Sequence, residues 1–266
     1  MAINMARHIK KKAKKARIAF IGMTSCKGCF FQFLLLGGRL VDVFENVEIA
    51  NFWMLKEFND RKGRYDVVFM DGAVSTEREL KELKNAREKT QFLIAYGTCA
   101  CWGGVPALRN FTSDYRKTVY PKETKFPSRS EVEPIDKHVK VDYYMRGCPV
   151  NEDEAFDVIA DLLNGKTPHE KDYCVCVECK KRGIKCLFKE GIACFGPVTY
   201  AGCNAPCPAS RTACDGCRGP LPDGNLGAEV DLLKEHGISR EQIKFVFSRY
   251  ASPAEKAKEA QKEVDK

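Results

Sequence analysis

The cysteines of this chain constrain its fold more than any other feature, because nine of the fourteen lie within residues 174–217. That segment is rich in glycine and proline and shows no apolar period. It cannot build an apolar core of its own, so disulfide bonds or bound metal must stabilise its fold. Disulfides are typical of secreted proteins, whereas clustered cysteines in a chain without an export signal indicate metal ligation. The cysteine pattern therefore predicts several metal or iron–sulfur sites.

Hydrophobic patterning predicts a cytoplasmic protein without a membrane span. No run of about 18 apolar residues occurs, and the apolar residues 18–23 are too few for a signal-peptide core. The net charge is +8, and much of it comes from a basic N-terminal arm, residues 1–16. We interpret this arm as a solvated tail or a strip along a partner subunit, in preference to a nucleic-acid arm.

Short apolar segments that alternate with helical signals predict a parallel sheet. Thr76 and Glu79 form a capping box before one helix, and Asn151 is the N-cap of another. Strands alternating with helices imply right-handed crossovers and an α/β fold. A long polar stretch, residues 106–140, is expected to be a surface excursion. The predicted strands are residues 17–23, 47–53, 65–71, 91–96 and 141–145.

Composition divides the chain after the basic arm into three further parts. An α/β domain occupies residues 17–166, a cysteine-rich irregular domain residues 167–228, and a C-terminal extension residues 229–266. The predicted fold is therefore an α/β parallel-sheet domain followed by a small irregular cluster domain.

Four cysteines follow predicted strands, and the carboxyl ends of parallel strands meet at one edge of a sheet. Four thiolates at that edge suit zinc or an iron–sulfur cluster. A cluster is favoured because the ligands come from three separate loops and because nearby glycines would let backbone N–H groups approach its sulfurs. Buried structural thiols remain the alternative. The four residues are Cys26, Cys29, Cys99 and Cys148.

The later cysteines form two further sets of four. Their short intervals let a loop wrap a cube-shaped cluster without regular structure. Zinc ribbons remain an alternative here, since paired Cys-x-x-Cys is also zinc spacing. One set is Cys176, Cys179, Cys186 and Cys194, and the other is Cys203, Cys207, Cys214 and Cys217.

Three motifs around the first set resemble the proximal-cluster sequence of nickel–iron hydrogenase small subunits. They are Cys-Lys-Gly-Cys after the first strand, residues 97–105 (GTCACWGGV) after the fourth, and Gly-Cys-Pro at residues 147–149. The resemblance covers residues 17–220 and implies a flavodoxin-like first domain whose cluster faces the nickel–iron centre of a large subunit. Ser25 stands where the family often has Glu, so a proton-relay role of that Glu is not carried over.

The resemblance also implies three 4Fe–4S clusters. The family usually holds its medial cluster by three cysteines and its distal cluster by one His and three cysteines. Cys207 stands where three-iron members commonly have Pro, and Cys176 stands where the distal His lies. The resemblance thus makes Cys26, Cys29, Cys99 and Cys148 the proximal set. It makes Cys203, Cys207, Cys214 and Cys217 the medial set, and Cys176, Cys179, Cys186 and Cys194 the distal set. Cys101 is left without a role, and Cys174 could take the place of Cys176.

The implied function is electron transfer. Dihydrogen is cleaved on the partner large subunit, and electrons pass through the three clusters to further iron–sulfur and flavin subunits that use NADP(H). This arrangement resembles the soluble archaeal sulfhydrogenases and their delta subunits. A methanogen-type subunit linked to a deazaflavin or a heterodisulfide reductase stays open. The chain has no nucleotide-binding fingerprint, and no catalytic residue is predicted in it.

Two further classes remain as alternatives. A zinc-stapled, basic nucleic-acid-binding protein would interleave aromatics with Lys and Arg near its cysteines, which residues 174–217 do not do convincingly. A related quinone-reductase subunit with one cluster would have adjacent cysteines in the first motif. Here Lys27 and Gly28 separate them.

Overall fold

Five parallel strands form one sheet in the order β2-β1-β3-β4-β5. The computed structural model describes residues 15–111, 128–251 and 255–265. This strand order is that of flavodoxin-like folds, and it confirms the predicted α/β class. Each strand begins and ends within two residues of its predicted bounds. The strands are β1 (Ala16–Gly22), β2 (Val47–Asn51), β3 (Tyr65–Asp71), β4 (Thr90–Tyr96) and β5 (Tyr143–Met145).

Helices flank the sheet and then build the rest of the chain. None of those in the described residues is long and apolar enough to cross a membrane. The α-helices are α1 (Gly28–Leu34), α2 (Arg39–Asn46), α3 (Glu77–Lys89), α4 (Thr98–Trp102), α5 (Glu152–Leu163), α6 (Val175–Lys181), α7 (Pro206–Ala209), α8 (Leu226–Glu235), α9 (Arg240–Ala251) and α10 (Glu255–Asp265). Short 3-10 turns span Val105–Phe111, Ile135–Lys137, Leu187–Glu190 and Gly196–Val198.

Both predicted helix starts are confirmed. The hydroxyl of Thr76 accepts the backbone N–H of Glu79 at 3.2 Å, and the Glu79 carboxylate accepts the N–H of Thr76 at 3.0 Å. Asn151 accepts the backbone N–H of Glu154 at 3.0 Å at the start of α5. Sequence patterning does not predict α1, α2 or α4, because each has eight residues or fewer, which is too short for an apolar stripe to repeat over several turns.

Side chains on both faces of the sheet are buried, as parallel sheets require. Phe20 of β1 lies at the centre of one face, with its ring centre 4.7 Å from that of Phe69 and 4.6 Å from that of Phe52. That face packs against α1, α2 and α5. The other face, which includes Val68 and Leu93, packs against α3 and α4. The carboxyl edge of the sheet is thus left for the loops that carry the first cysteines.

The last helices pack onto the cysteine-rich segment. Leu226 and Val230 of α8 lie in one apolar cluster with Phe195, Val198 and Phe247. Helix α8 begins three residues before the predicted start of the C-terminal extension at residue 229, so the extension shares a core with the segment before it. Helix α9 also packs against α4 of the sheet domain.

The polar stretch at residues 106–140 is partly interior. Val132 and Ile135 are buried against the sheet domain. The expectation of a surface excursion is therefore wrong for these residues, because a few apolar side chains are enough to anchor a polar loop. Residues 112–127 of this stretch, and residues 1–14 of the basic arm, lie outside the described residues.

Candidate iron–sulfur centres

The four cysteines of the proximal set lie at the carboxyl edge of the sheet. Two follow β1, one is in the first turn of α4 after β4, and one follows β5. Burial raises the pKa of the Cys29 thiol, and the nearby thiols of Cys99 and Cys148 add to that rise. Burial likewise raises the pKa of Cys99, and Cys26 adds to it. The fold therefore brings together the four residues that strand order predicts.

Two glycines leave room for the proximal thiols. Gly97 has a φ of +88°, and a Cβ there would lie 2.4 Å from the Cys29 sulfur. Gly104 has a φ of +56°, and its Cβ would lie 2.9 Å from the Cys99 sulfur. A side chain at either position would collide with a thiol, and both φ values favour glycine. The backbone can thus approach the sulfurs closely, as it does around iron–sulfur clusters.

The four medial cysteines also form one group of interacting thiols. Burial raises the pKa of Cys203 to about 12, and the Cys217 thiolate adds to this rise. Burial raises the pKa of Cys214 as well, with contributions from Cys217 and Cys203. Burial raises the pKa of Cys217, and Cys207 acts on it in the same way. Cys207 lies in α7 and is exposed, whereas Cys214 is buried.

The distal set is gathered around the start of α6. Burial raises the pKa of Cys176 to about 12, and the thiolates of Cys174, Cys194, Cys179 and Cys186 add to this rise, in that order. A Cβ on Gly196 would lie 3.3 Å from the Cys176 sulfur and 3.5 Å from the Cys194 sulfur. Cys186 is exposed, so this set reaches the protein surface.

Direct contacts join the proximal set to the medial set. The hydroxyl of Thr98 donates to the carbonyl of Cys217 at 2.5 Å. The backbone of Cys148 lies close enough to the Cys217 sulfur to oppose the rise that burial causes in the pKa of that thiol. Cys148 and Cys217 are therefore neighbours, although one belongs to the sheet domain and the other to the cysteine-rich segment.

Equally direct contacts join the medial set to the distal set. The backbone N–H of Cys214 donates to the Cys194 sulfur at 3.2 Å. Buried Glu178 of α6 accepts the backbone N–H of Gly202 at 2.9 Å and lies 3.8 Å from the Cys203 sulfur. The three sets thus follow one another in space in the order that the resemblance names them.

Sequence reasoning missed two buried arginines that join the two parts of the chain. Arg218 donates through both terminal nitrogens to Glu154, each at 2.9 Å, and it also donates to the carbonyl of Arg146. Arg146 pairs with Glu170 at 2.5 Å, and its guanidinium lies 4.0 Å from the centre of the Tyr200 ring. The one sequence signal that could have found Arg218 is its position next to a predicted ligand.

Ser25 belongs to a polar group beside the proximal set. Its hydroxyl donates to the buried carboxylate of Asp71 at 2.5 Å, and the Lys27 ammonium lies 3.5 Å from the same carboxylate. Burial raises the pKa of Asp71, while the hydrogen bond from Ser25 and the charge of Lys27 oppose that rise. The carboxylate beside this set therefore comes from β3, and not from the cysteine loop as the family's Glu would.

Two cysteines remain outside the three sets. The buried thiol of Cys101 donates to the carbonyls of Ala95 and Met145, at 3.5 and 3.7 Å, so it has a structural role between β4 and β5. Cys174 occupies the N-cap position of α6, and its backbone pairs with that of Tyr200.

The surroundings of these thiols fit the role of ligands better than that of nucleophiles. None of the fourteen cysteines forms a disulfide. Burial raises the pKa of Cys148 to about 11, whereas reactive cysteines have lowered values. In the described part of the chain, no three ligating side chains converge as one metal ion requires. A cubane spreads four thiolates more widely, because its irons and sulfides stand between them. The donor set and the glycine spacing therefore fit iron–sulfur clusters.

The sequence is similar to subunits of known oxidoreductases. The family model for the NADH ubiquinone oxidoreductase 20 Kd subunit matches residues 26–162. The chain is 38% identical to sulfhydrogenase 2 subunit delta of Pyrococcus furiosus, over 82% of this chain and 92% of that protein. It is 32% identical to a subunit of the F420-non-reducing hydrogenase vhu of Methanocaldococcus jannaschii, over 80% of this chain and 85% of that protein. Both alignments reach into the cysteine-rich segment, because residues 1–166 make up less than two thirds of the chain.

The fold is also similar to that of a chain in a solved structure of NAD+-reducing [NiFe]-hydrogenase in its H2-reduced state. The TM-score is 0.51 at 31% identity, and the match covers 59% of this chain and 95% of that chain. These relatives decide against a zinc-stapled nucleic-acid-binding protein. The chain therefore belongs to the family of the NADH ubiquinone oxidoreductase 20 Kd subunit, and within that family it is a hydrogenase small subunit.

Proposed function

We propose that this small subunit holds three 4Fe–4S clusters and transfers electrons in a nickel–iron hydrogenase. The observation that carries the proposal is the continuity of the three cysteine sets, which touch one another at Cys148–Cys217 and at Cys194–Cys214. The proximal ligands are Cys26, Cys29, Cys99 and Cys148, the medial ligands are Cys203, Cys207, Cys214 and Cys217, and the distal ligands are Cys176, Cys179, Cys186 and Cys194.

Bound clusters supply one-electron carriers, and the residues of this chain set their surroundings. Thr98 holds the Cys217 loop against the proximal set. Buried Arg218 places a positive charge beside Cys203 and Cys217. A cation at this position favours the more negative, reduced state of whatever those thiolates bind, and the paired carboxylate of Glu154 opposes part of that effect.

We place the large subunit against the edge of the sheet domain that carries exposed Cys26. Phe31 of α1 and Leu35, the C-cap residue of that helix, lie one turn apart, and each is more than half exposed. Phe58, in the loop after β2, is 82% exposed. Large apolar side chains exposed together are typical of protein interfaces. An apolar face beside the proximal set suits a permanent partner.

For the acceptor we propose further iron–sulfur and flavin subunits that use NADP(H) in the cytoplasm. The similarity to sulfhydrogenase 2 subunit delta supports this assignment, and fourteen unpaired cysteines suit a reducing compartment. The 32% identity to part of an F420-non-reducing hydrogenase supports the second candidate, a methanogen-type complex, in its form linked to a heterodisulfide reductase, because the name of that relative excludes reduction of the deazaflavin F420.

Anaerobic purification of the native complex tests the proposal. We expect about twelve irons and about twelve sulfides per small subunit, from three cubanes, and EPR signals on reduction. The copurifying large subunit should contain nickel, and hydrogen should reduce NADP+ in the complex. Zinc without sulfide would refute the clusters. Hydrogen uptake with a viologen dye but without NADP+ would favour the second candidate.

A further inference from the structure

The surface around the exposed distal cysteine, Cys186, is strongly basic. Residues 179–190 contain five basic residues and one acidic residue. The acidic residue, Glu190, pairs with Lys185 at 3.0 Å and with Arg211. We call the exposed cations of this surface the basic collar: Lys180, Lys181, Arg182, Lys185, Lys189 and Arg211.

Contacts in the structure place the collar on two sides of the distal set. Lys185 precedes Cys186 in the chain. Glu190 ends the 3-10 turn that follows Cys186, and Arg211 forms an ion pair with Glu190, so Arg211 lies near the same turn. On the other side, Arg182 is close enough to Cys179 to oppose the rise that burial causes in its pKa. The collar therefore includes cations beside exposed Cys186 and beside Cys179.

Some collar cations also have partners within the fold, because Arg182 donates to the carbonyls of Asn204 and Ala205 and Lys181 lies 5.5 Å from the centre of the Tyr173 ring. Six exposed cations beside one carboxylate nevertheless leave a net positive charge on this surface, and like charges repel one another. Such a patch does raise the local concentration of an acidic partner and orients it during encounter. The proximal end of the chain, with Phe31 and Phe58 exposed, has an apolar surface instead. The two ends thus differ in the kind of partner they suit.

We propose that the basic collar docks an acidic electron-carrier protein, an iron–sulfur protein or domain whose own cluster is ringed by Asp and Glu, next to Cys186. The inference rests on the proposed function, because it takes the distal set as a cluster site. Opposite charges bring the two clusters together, and the exposed ammonium groups of Lys180 and Lys189 can each form a charge-assisted hydrogen bond to a carboxylate. At about 0.1 M salt, charges more than roughly 10 Å apart are screened, so docking weakens as salt rises.

The test measures binding between the anaerobically purified, cluster-loaded full chain and a purified acidic 2Fe–2S ferredoxin. Association rate and Kd are measured by biolayer interferometry at low and high salt. The collar variant is Lys185→Glu/Lys189→Glu, which reverses the two cations that flank Cys186. The matched control is Lys81→Glu/Lys84→Glu on α3, which packs on β3 and β4. Both variants change the net charge equally, and both must keep the iron content and EPR signals of the wild type.

We expect the wild-type association rate to fall steeply with salt. The collar variant should associate at least about tenfold more slowly at low salt, and the control should stay within about twofold of the wild type. Absence of ferredoxin binding, salt-independent binding, or equal losses in both variants would overturn the docking proposal. The proposal would also be overturned if the chain bound a DNA or RNA duplex and not ferredoxin, and if the collar variant lost that duplex binding. A chain that contains zinc and no sulfide would instead refute the proposed function.

Discussion

The guanidinium of Arg218 and the carboxylate of Glu154 form a bidentate ion pair, with two N–O distances of 2.9 Å, and their side chains are only 3% and 7% exposed. Arg218 follows a medial cysteine, and Glu154 lies in the first turn of α5. The pair therefore fastens the segment that carries two cysteine sets to the domain that carries the third.

Removing one partner of this pair should be costly. Glu154→Ala leaves a buried guanidinium without its counter-charge, and we expect the free energy of unfolding to fall by about 3–5 kcal/mol. The matched control is Asp153→Ala in the same helical turn, because its pair with Arg39 is exposed. That change should cost less than about 1 kcal/mol. Anaerobic denaturant unfolding of the cluster-loaded chain measures both, and equal losses would contradict the prediction.

A methyl group at Gly97 should remove the proximal cluster. In Gly97→Ala the new Cβ would collide with the Cys29 sulfur, and the backbone φ of +88° would be strained. We expect about four fewer irons per chain and loss of one EPR component. Gly38→Ala is the control, since nothing lies within 4 Å of a Cβ there and its φ is −58°. Full iron content in Gly97→Ala would show that the proximal assignment is wrong.

Cys174 and Cys176 should respond differently to the same substitution. The Cys176 sulfur lies beside Gly196 with that of Cys194, whereas Cys174 is the N-cap residue of α6. We expect Cys174→Ala to keep about twelve irons and Cys176→Ala to lose the distal cluster. Iron analysis and EPR of the two variants, prepared side by side, decide the matter. The opposite outcome would make Cys174 the ligand.

Buried Glu229 should make stability depend on pH. Its Oε1 has no hydrogen-bond partner among the described residues, and burial raises its pKa from 4.5 to about 7. The folded state therefore holds this proton more tightly than the unfolded chain. The resulting stabilisation is complete below about pH 4.5 and is lost as the pH rises through 7.

The substitution Glu229→Gln should abolish that loss. At pH 8 we expect the variant to be more stable than the wild type by roughly 3 kcal/mol, and at pH 5 the two should differ little. Glu235→Gln, exposed on the same helix, should leave the pH profile unchanged. Anaerobic unfolding between pH 5 and pH 8 gives the comparison, and parallel profiles for Glu229→Gln and the wild type would count against it.

Local pattern was enough to predict the sheet and much of the grouping of the cysteines. Short apolar runs mark strands because both faces of a parallel sheet are buried, and Thr76 and Asn151 mark helix starts because their side chains accept backbone N–H groups locally. Strand order then brings Cys26, Cys99 and Cys148 to one edge, because the carboxyl ends of parallel strands lie together. That each set binds a cluster stays a prediction.

The amino-acid sequence by itself determined the α/β class, the strand positions and the three sets of four thiols, since each depends on neighbours or on a simple rule of topology. Only the tertiary structure decided which polar residues hold the sets together. Glu152, Asp153 and Glu154 look alike as acids at a helix start, yet it is Glu154 that pairs with Arg218. The identity of the paired acid depends on how a distant segment packs on α5. Contacts between residues far apart in the chain produce no repeating pattern in the local sequence, so sequence analysis cannot predict them.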